Sequence, residues 1–470
     1  MRWPIVQPSN RPIVNFHPIT IADRSVFLKF FQNDRATCDW TFTNIFCWKD
    51  YYKKEWTELG PWLIIRCHFN DDRRMAYMVI DIDDTHPYSE IVPLLLQEAD
   101  AQGHPLMLFS FTERECGQLL SQYPESFVLD RNRDLEDYVY SRKELAELRG
   151  RKFAPKRNHV NRFMRLYDYR FDPLSRADFD ECLRLEAVWR GQHGEDSVGI
   201  SAEQQAIRHA FDHFEELQLL GGVLRVDGHI VAFTYGSRLN DHTFCTHVEK
   251  ADTSYDGAYA MINQLFAQHL PPQYTLINRE EDLGVPGLRK AKLSYMPVNM
   301  APKIMALHLT NDMRDIIHVW QVCFGDEDSF VHSFLVRYYF PDCAFVRRDG
   351  GHVVSMAFVI PCSTEMGPTA YLYGIATLPE YRGKGLAREV IHEALTAARN
   401  YGFAAAMLIP ADPELKPYYQ QFGFVDSDIH VTFINDLDLG TGDDTRNRAM
   451  VNLFSENIAL PDEISCIASL

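Results

Sequence analysis

Apolar and polar positions repeat the same coarse order three times along the chain: helices, a strand hairpin, a further strand, a helix, a strand. In the first block, Trp62–Phe69 and 74–80 read as strands around the polar turn Asn70-Asp71-Asp72-Arg73. A helix over 89–103 follows, with Ile91, Leu94, Leu95 and Ala99 on its apolar face, and then a strand over 106–111. The second block has helical patterns over 177–190 and 201–219, then strands 222–226 and 229–238 around the two-residue turn Asp227-Gly228. A strand over 242–249, a helix over 256–270, a strand over 274–278 and a short helix near 288–293 complete it. The third block shows helices over 315–322 and 329–340 and strands 344–348 and 352–360 around Asp349-Gly350-Gly351. An apolar strand ending at Leu378, a helix beginning at Leu386 and a strand over 405–410 follow. The pattern predicts an α/β fold of layered α+β type, three alike units with mixed, mostly antiparallel sheets flanked by helices. The expected divisions are 1–155, 156–302 and 303–440, with a short tail over 441–470.

Composition narrows the class. With 46% hydrophobic residues the chain can bury sizeable cores. No stretch reaches the ~18 apolar residues of a membrane span, and the proline-bearing start has no apolar leader core. Ten scattered cysteines form no Cys-x-x-Cys pair, and Cys67, Cys182 and Cys245 fall inside apolar segments. That usage suits reduced thiols and a cytoplasmic setting. The net charge of −18 argues against general nucleic-acid binding or adhesion to anionic lipid. The charge is uneven. Ten Lys and Arg against three acidic residues lie between Arg142 and Arg170, whereas 306–470 holds 11 basic and 22 acidic residues.

The sharpest signal lies between Tyr371 and Gly402. The apolar strand ends at Pro379, and Arg382-Gly383-Lys384-Gly385-Leu386-Ala387 leads into a helix with Leu386, Val390, Ala394 and Ala398 on one face. Gly402 stands where a left-handed C-cap belongs. Such a loop turns unpaired N–H groups outward at the positive end of a helix dipole, a place for phosphate. A dinucleotide loop would need glycine at Arg388, and a P-loop would need Ser or Thr at Gly385.

The run Arg382-x-x-Gly385-x-Ala387 resembles the pyrophosphate loop of the GNAT acyltransferases. The downstream run Tyr418-Tyr419-Gln420-Gln421-Phe422-Gly423-Phe424 resembles that family's aromatic helix end. Residues 1–302 carry a second resemblance. Asp137-Tyr-Val-Tyr140, Gly150-Arg-Lys-Phe153, Lys156-Arg157-Asn158-His159, His247-Val-Glu249-Lys250 and Arg279-Glu280-Glu281-Asp282 are similar to signatures of the phosphatidylglycerol lysyltransferase C-terminal-like family. Together these imply three GNAT-like units, the first two forming one lysyltransferase-like module and the third a GNAT domain.

The GNAT resemblance implies acetyl-CoA, or another acyl-CoA, as acyl donor and a small-molecule or peptide amine as acceptor. The cofactor-binding candidates are Ile375, Ala376, Thr377, Arg382, Gly383, Lys384, Gly385, Leu386, Ala387 and Arg388. Gly374 is placed to ease a bulge that frees an amide for the thioester carbonyl. Tyr419 matches the tyrosine that protonates the leaving thiolate in many relatives, with Tyr418 expected in the core. Asp412 replaces a common Asn, and no carboxylate occupies the usual general-base positions in 371–378. The lysyltransferase resemblance implies an alternative, transfer of an aminoacyl group from tRNA by 1–302. Its candidate residues are Lys156, Arg157, Asn158, His247, Glu249 and Lys250. A third reading is a non-catalytic CoA-sensing or scaffolding protein.

Other constellations carry less. His209 and His213 have a metal-ligating spacing without a third ligand, and no metal is expected. The Asp81, Asp83 and Asp84 turn takes the place of a phosphate loop in the first unit, and its carboxylates would repel an anion. The basic run at 156–162 could pack on that acidic turn or hold a phosphate. Asp436 to Asp444 is acidic and contains glycine but lacks the spacing of a calcium loop.

Overall fold

The structure, a computed structural model, describes residues 13–31, 35–69, 74–193, 198–434, 447–455 and 458–468. It contains three seven-stranded mixed sheets, each flanked by helices. In the first, Trp62–Phe69 pairs antiparallel with Arg74–Asp81, which runs parallel to Met107–Phe111. The hairpin turn at 70–73 and the acidic stretch 436–444 lie outside the described residues. In the second sheet, Leu220–Val226, His229–Arg238 and Thr243–Ala251 form a meander, and the last runs parallel to Leu276–Asn278.

Short apolar runs are where the structure departs from the pattern. Ile304–His308 is a buried strand of the first sheet, held between Met107–Phe111 and Phe127–Arg131, although it sits at the expected opening of the third unit. Asp137–Ser141 belongs to the second sheet. The chain therefore crosses twice between the first two sheets, at 132–136 and at 302–303. The segment after 441, expected as a tail, contributes Arg448–Leu453 to the middle of the third sheet and Glu463–Ala468 to its end. Its Ala449-Met450-Val451 core is fully buried, but three apolar residues beside a polar stretch fall below what periodicity can register. Glu463–Ala468 also meets His352–Thr364 at Cys362 and Ser363, so the third sheet closes on itself at that end.

The third unit docks on the first through helix Asp328–Tyr338. Arg337 holds Asp130 at 2.9 Å and 3.1 Å, and Ser333 bonds the same carboxylate at 2.7 Å. Helix Asn311–Phe324 and this helix cover one face of the third sheet, and helix Leu386–Asn400 covers the other with Val390, Ile391, Ala394, Leu395 and Ala398 buried. All ten cysteines are free, and none of the helices is long and apolar enough to cross a membrane, among the described residues.

Candidate functional site

The strand Gly367–Thr377 fixes the site in the third unit. It pairs parallel with Ala405–Leu408 at three positions only, Thr369/Ala405, Ala370/Ala406 and Tyr371/Met407. Beyond Tyr371 the two strands part. On its other side the same strand bulges, because Gly374 and Ile375 together face one residue of His352–Thr364. Gly374 has φ +58°, and a Cβ there would lie 3.0 Å from the Phe358 ring and 3.3 Å from Trp320, so both conformation and space ask for glycine.

The parting strands open a cleft of about 420 Å³. Nine of the ten cofactor-binding candidates line it: Ile375, Ala376, Thr377, Arg382, Gly383, Gly385, Leu386, Ala387 and Arg388, together with Tyr419. Lys384 instead lies over the Tyr381 ring at 4.5 Å. Gly385 is the N-cap of helix Leu386–Asn400 at φ +85°, and Gly383 has φ +75°. Among the described residues nothing accepts a hydrogen bond from the N–H groups of Gly383 through Arg388. Six donors without a described acceptor thus stand at the start of a four-turn helix, the kind of place that favours an anion.

The second unit gives the contrast. Gly257 is likewise a left-handed N-cap, φ +93°, for helix Ala258–His269. A Cβ on Gly257 would stand 2.4 Å from the His159 carbonyl oxygen, because helix Ala154–Leu166 packs across that helix start. Among the described residues, a Cβ on Gly385 would meet no atom within 4 Å beyond its own chain neighbours. The same device is covered in one unit and open in the other.

Tyr419 is buried, 8% exposed, and burial followed by Tyr418 pushes its phenol up to about 12. Tyr418, expected in the core, is half-buried and lines the cleft, because the short helix Lys416–Gln420 turns Tyr419 inward against Phe424. Cys323, Phe324, Tyr381 and Leu415 complete the lining, and none of the described lining residues is Asp, Glu or His. Glu365 binds the Ser465 amide at the opposite end of the sheet, Asp326 accepts from Trp320 Nε1, and Asp412 accepts from the Glu414 amide. No sequence pattern pointed to Cys323 or Phe324, which come from a helix that ends at Phe324, well upstream of the strand that begins at Gly367.

Of the second-module candidates, Lys156, Glu249 and His247 gather around Arg279, Tyr295 and Glu280, whereas Arg157, Asn158 and Lys250 lie apart from them. Lys156 lies over the Tyr295 ring at 4.0 Å, and burial with nearby Arg279 lowers its ammonium to about 8. Arg157 donates to the Leu148 and Gly150 carbonyls, and Asn158 is exposed. His247 and Glu249 share a strand face, meeting Glu280 at 2.9 Å and Arg279 at 2.8 Å respectively, whereas Lys250 points away to Glu203 at 2.7 Å. The basic run does not pack on the acidic turn: Arg162 pairs with Asp256, while Asp84 meets Arg35 and Arg114 and Asp81 meets His86. His209 sits between Lys49 and Asp50, and His213 lies edge-on to Phe46. For Lys156 a titration of dimethylated lysines by NMR should find one resonance moving near pH 8, apart from the bulk. The sign is that of a base lowered by folding, so stability rises with pH between about 8 and the ordinary lysine value of about 10.4.

Sequence reasoning missed the charged seam between the first two sheets. Lys303, 2% exposed, places its ammonium 2.8 Å from Asp137, 2.7 Å from Glu281, 3.6 Å from Asp39 and 3.2 Å from the Cys38 sulfur. Burial drives the Asp137 carboxyl upward. Burial alone would raise Glu281 too, but Lys303 and Lys292 outweigh it and hold that carboxyl low. Asp137 and Glu281 stood in the signature runs, but a lone lysine after a proline carries no pattern.

The fold defines a tandem protein of GNAT-type units, one of which leaves its glycine loop open to a cleft. The sequence matches the family described as "Phosphatidylglycerol lysyltransferase, C-terminal" over residues 31–307, and an "Acetyltransferase (GNAT) domain" over 307–425. The chain belongs to the phosphatidylglycerol lysyltransferase C-terminal family and carries a GNAT acyltransferase domain behind that module. Among solved structures, a conserved protein of unknown function from Bacteroides thetaiotaomicron is 40% identical, covering 63% of this chain and 100% of its own, with a TM-score of 0.60. L-PGS from Bacillus licheniformis is 18% identical over 63% of this chain and 93% of its own, TM-score 0.47. A GNAT family N-acetyltransferase from Escherichia coli in complex with CoA is 19% identical over 34% of this chain and 86% of its own, TM-score 0.27. No curated protein matches the chain.

Proposed function

We propose that the third unit transfers an acyl group, acetyl in the first instance, from a CoA thioester to a substrate amine by direct attack. The observation that carries this reading is the run of unpaired N–H groups from Gly383 to Arg388, five of whose six residues line the cleft where the strands part. These amides would hold the pyrophosphate, and the bulged strand at Gly374–Ala376 would direct an amide at the thioester oxygen as charge develops there. The amine nitrogen bonds to the carbonyl carbon, the C–S bond breaks, and Tyr419 gives its proton to the departing thiolate. With no carboxylate or imidazole among the described lining residues, the amine loses its proton to water.

Thermal unfolding with acetyl-CoA should show stabilisation, since the ligand binds only the folded unit. Tyr419→Phe should keep that stabilisation and lower kcat by about 100-fold or more, the usual contribution of a positioned acid. Unchanged turnover would remove Tyr419 from the mechanism. Because burial holds the phenol near 12, it stays protonated through neutral and mildly alkaline pH. The pH–rate profile should then rise with deprotonation of the free amine and show no descending limb below about pH 10, the ordinary tyrosine value.

Family membership favours a second reading, aminoacyl transfer from tRNA by the module spanning 31–307. Neutralising Lys156, Arg157 and Arg162 together should abolish tRNA binding if that basic helix is the docking face. Retained binding would discard it.

A further inference from the structure

In the second unit the strands Thr243–Ala251 and Leu276–Asn278 pair at three positions, ending at Cys245/Asn278, and then part as their counterparts do in the third unit. What lies in this fork is a set of side chains. Cys245 Sγ is 3.7 Å from His247 Nδ1 and 3.9 Å from Glu280 Oε1, and Nδ1 is 2.9 Å from the same carboxylate oxygen. We propose that Cys245, His247 and Glu280 form a binding site for a zinc-like divalent ion.

Three independent features support it. The sulfur–nitrogen edge suits the ion: bonds of about 2.3 Å to sulfur and 2.0–2.1 Å to nitrogen at a tetrahedral angle put S and N about 3.6 Å apart, and the Nδ1–Oε1 hydrogen bond would open by about 0.5 Å to admit it. The imidazole is oriented by a partner, since His247 Nε2 lies 2.8 Å from Ser237 Oγ and Nδ1 is thereby turned toward the thiol and carboxylate. The charge balance also suits a cation. Four carboxylates (Asp39, Asp137, Glu280, Glu281) surround the seam, against the ammonium groups of Lys303 and Lys292. Asn44 Nδ2, from the first unit, contacts Glu280 Oε1 at 3.3 Å. An ion here would bind the turn after Asn278 to the neighbouring strand at the junction of the first two units. On binding, it displaces the proton shared by His247 and Glu280 and the thiol proton of Cys245, both of which pass to solvent.

The ion is softer than calcium or magnesium, because a thiolate and an imidazole select zinc, cobalt or nickel over hard cations. The probe is Co(II), titrated into the chelator-treated full-length chain and followed by visible and near-ultraviolet absorption. One equivalent should produce a thiolate-to-cobalt charge-transfer band with intense d–d bands, and Zn(II) should bleach both. Cys245→Ser should lose the charge-transfer band, while Cys38→Ser, the adjacent thiol, should keep it. Ser237→Ala, which frees the positioning contact, should weaken zinc binding by about 10- to 100-fold. Absence of the band in the wild-type chain, or a band that moves with Cys38 and not with Cys245, would overturn the assignment.

Discussion

Gly385→Val is expected to weaken acyl-CoA binding by about 100-fold or more while leaving the third unit folded. A valine at φ +85° occupies a region that β-branched residues avoid, at a cost of about 1–3 kcal/mol, so the loop would shift to relieve it. Among the described residues outside its chain neighbours nothing stands within 4 Å of the new Cβ, so the side chain would project into open space at the loop. Losing two charge-assisted hydrogen bonds of about 1.5–3 kcal/mol each lowers affinity by about 100-fold or more. Gly385 itself belongs to neither core of the sheet, so both are expected to keep their packing. Calorimetric titration with acetyl-CoA, beside a thermal melt of the variant, measures both parts. Gly257→Val, by contrast, meets the His159 carbonyl and should destabilise the second unit without affecting acyl-CoA affinity.

The other large effect is on stability. Lys303→Met should cost about 3–5 kcal/mol, because it leaves Asp137 and Glu281 without their buried cation. The residue sits where the chain passes from the second sheet back into the first, between Asn299–Ala301 and Ile304–His308, so the loss falls on the junction of the two units. Urea unfolding should show the midpoint shift. Adding Asp137→Asn should recover part of it, since one uncompensated charge is then removed. A Lys303→Met protein as stable as the parent would mean that water already compensates the seam.

Much of the lining of the third unit's candidate cleft was legible because it is local in sequence. The αL glycines, the strand before them and the amphipathic helix after them occupy one continuous stretch, and backbone conformation there follows from residue type. Tyr419 and its helix end lie only a short distance downstream. The remainder depends on long-range contacts that periodicity does not encode. Cys323 and Phe324 reach the cleft from an upstream helix, and Lys303 meets Cys38, Asp137 and Glu281 from far along the chain. Strand membership failed in the same way. Ile304–His308 and Arg448–Leu453 are five and six residues long, and their sheet is set by which gap they fill. Even Tyr418 and Tyr419 exchanged expected depths, since a five-residue helix end does not fix which of two neighbours turns inward.

Hydrogen-exchange mass spectrometry of the full-length chain, with and without acetyl-CoA, is the most direct test. The account predicts protection concentrated over 375–388, where the amides of the loop and the bulged strand take up the ligand. Protection elsewhere, with 383–388 exchanging as fast as before, would contradict it.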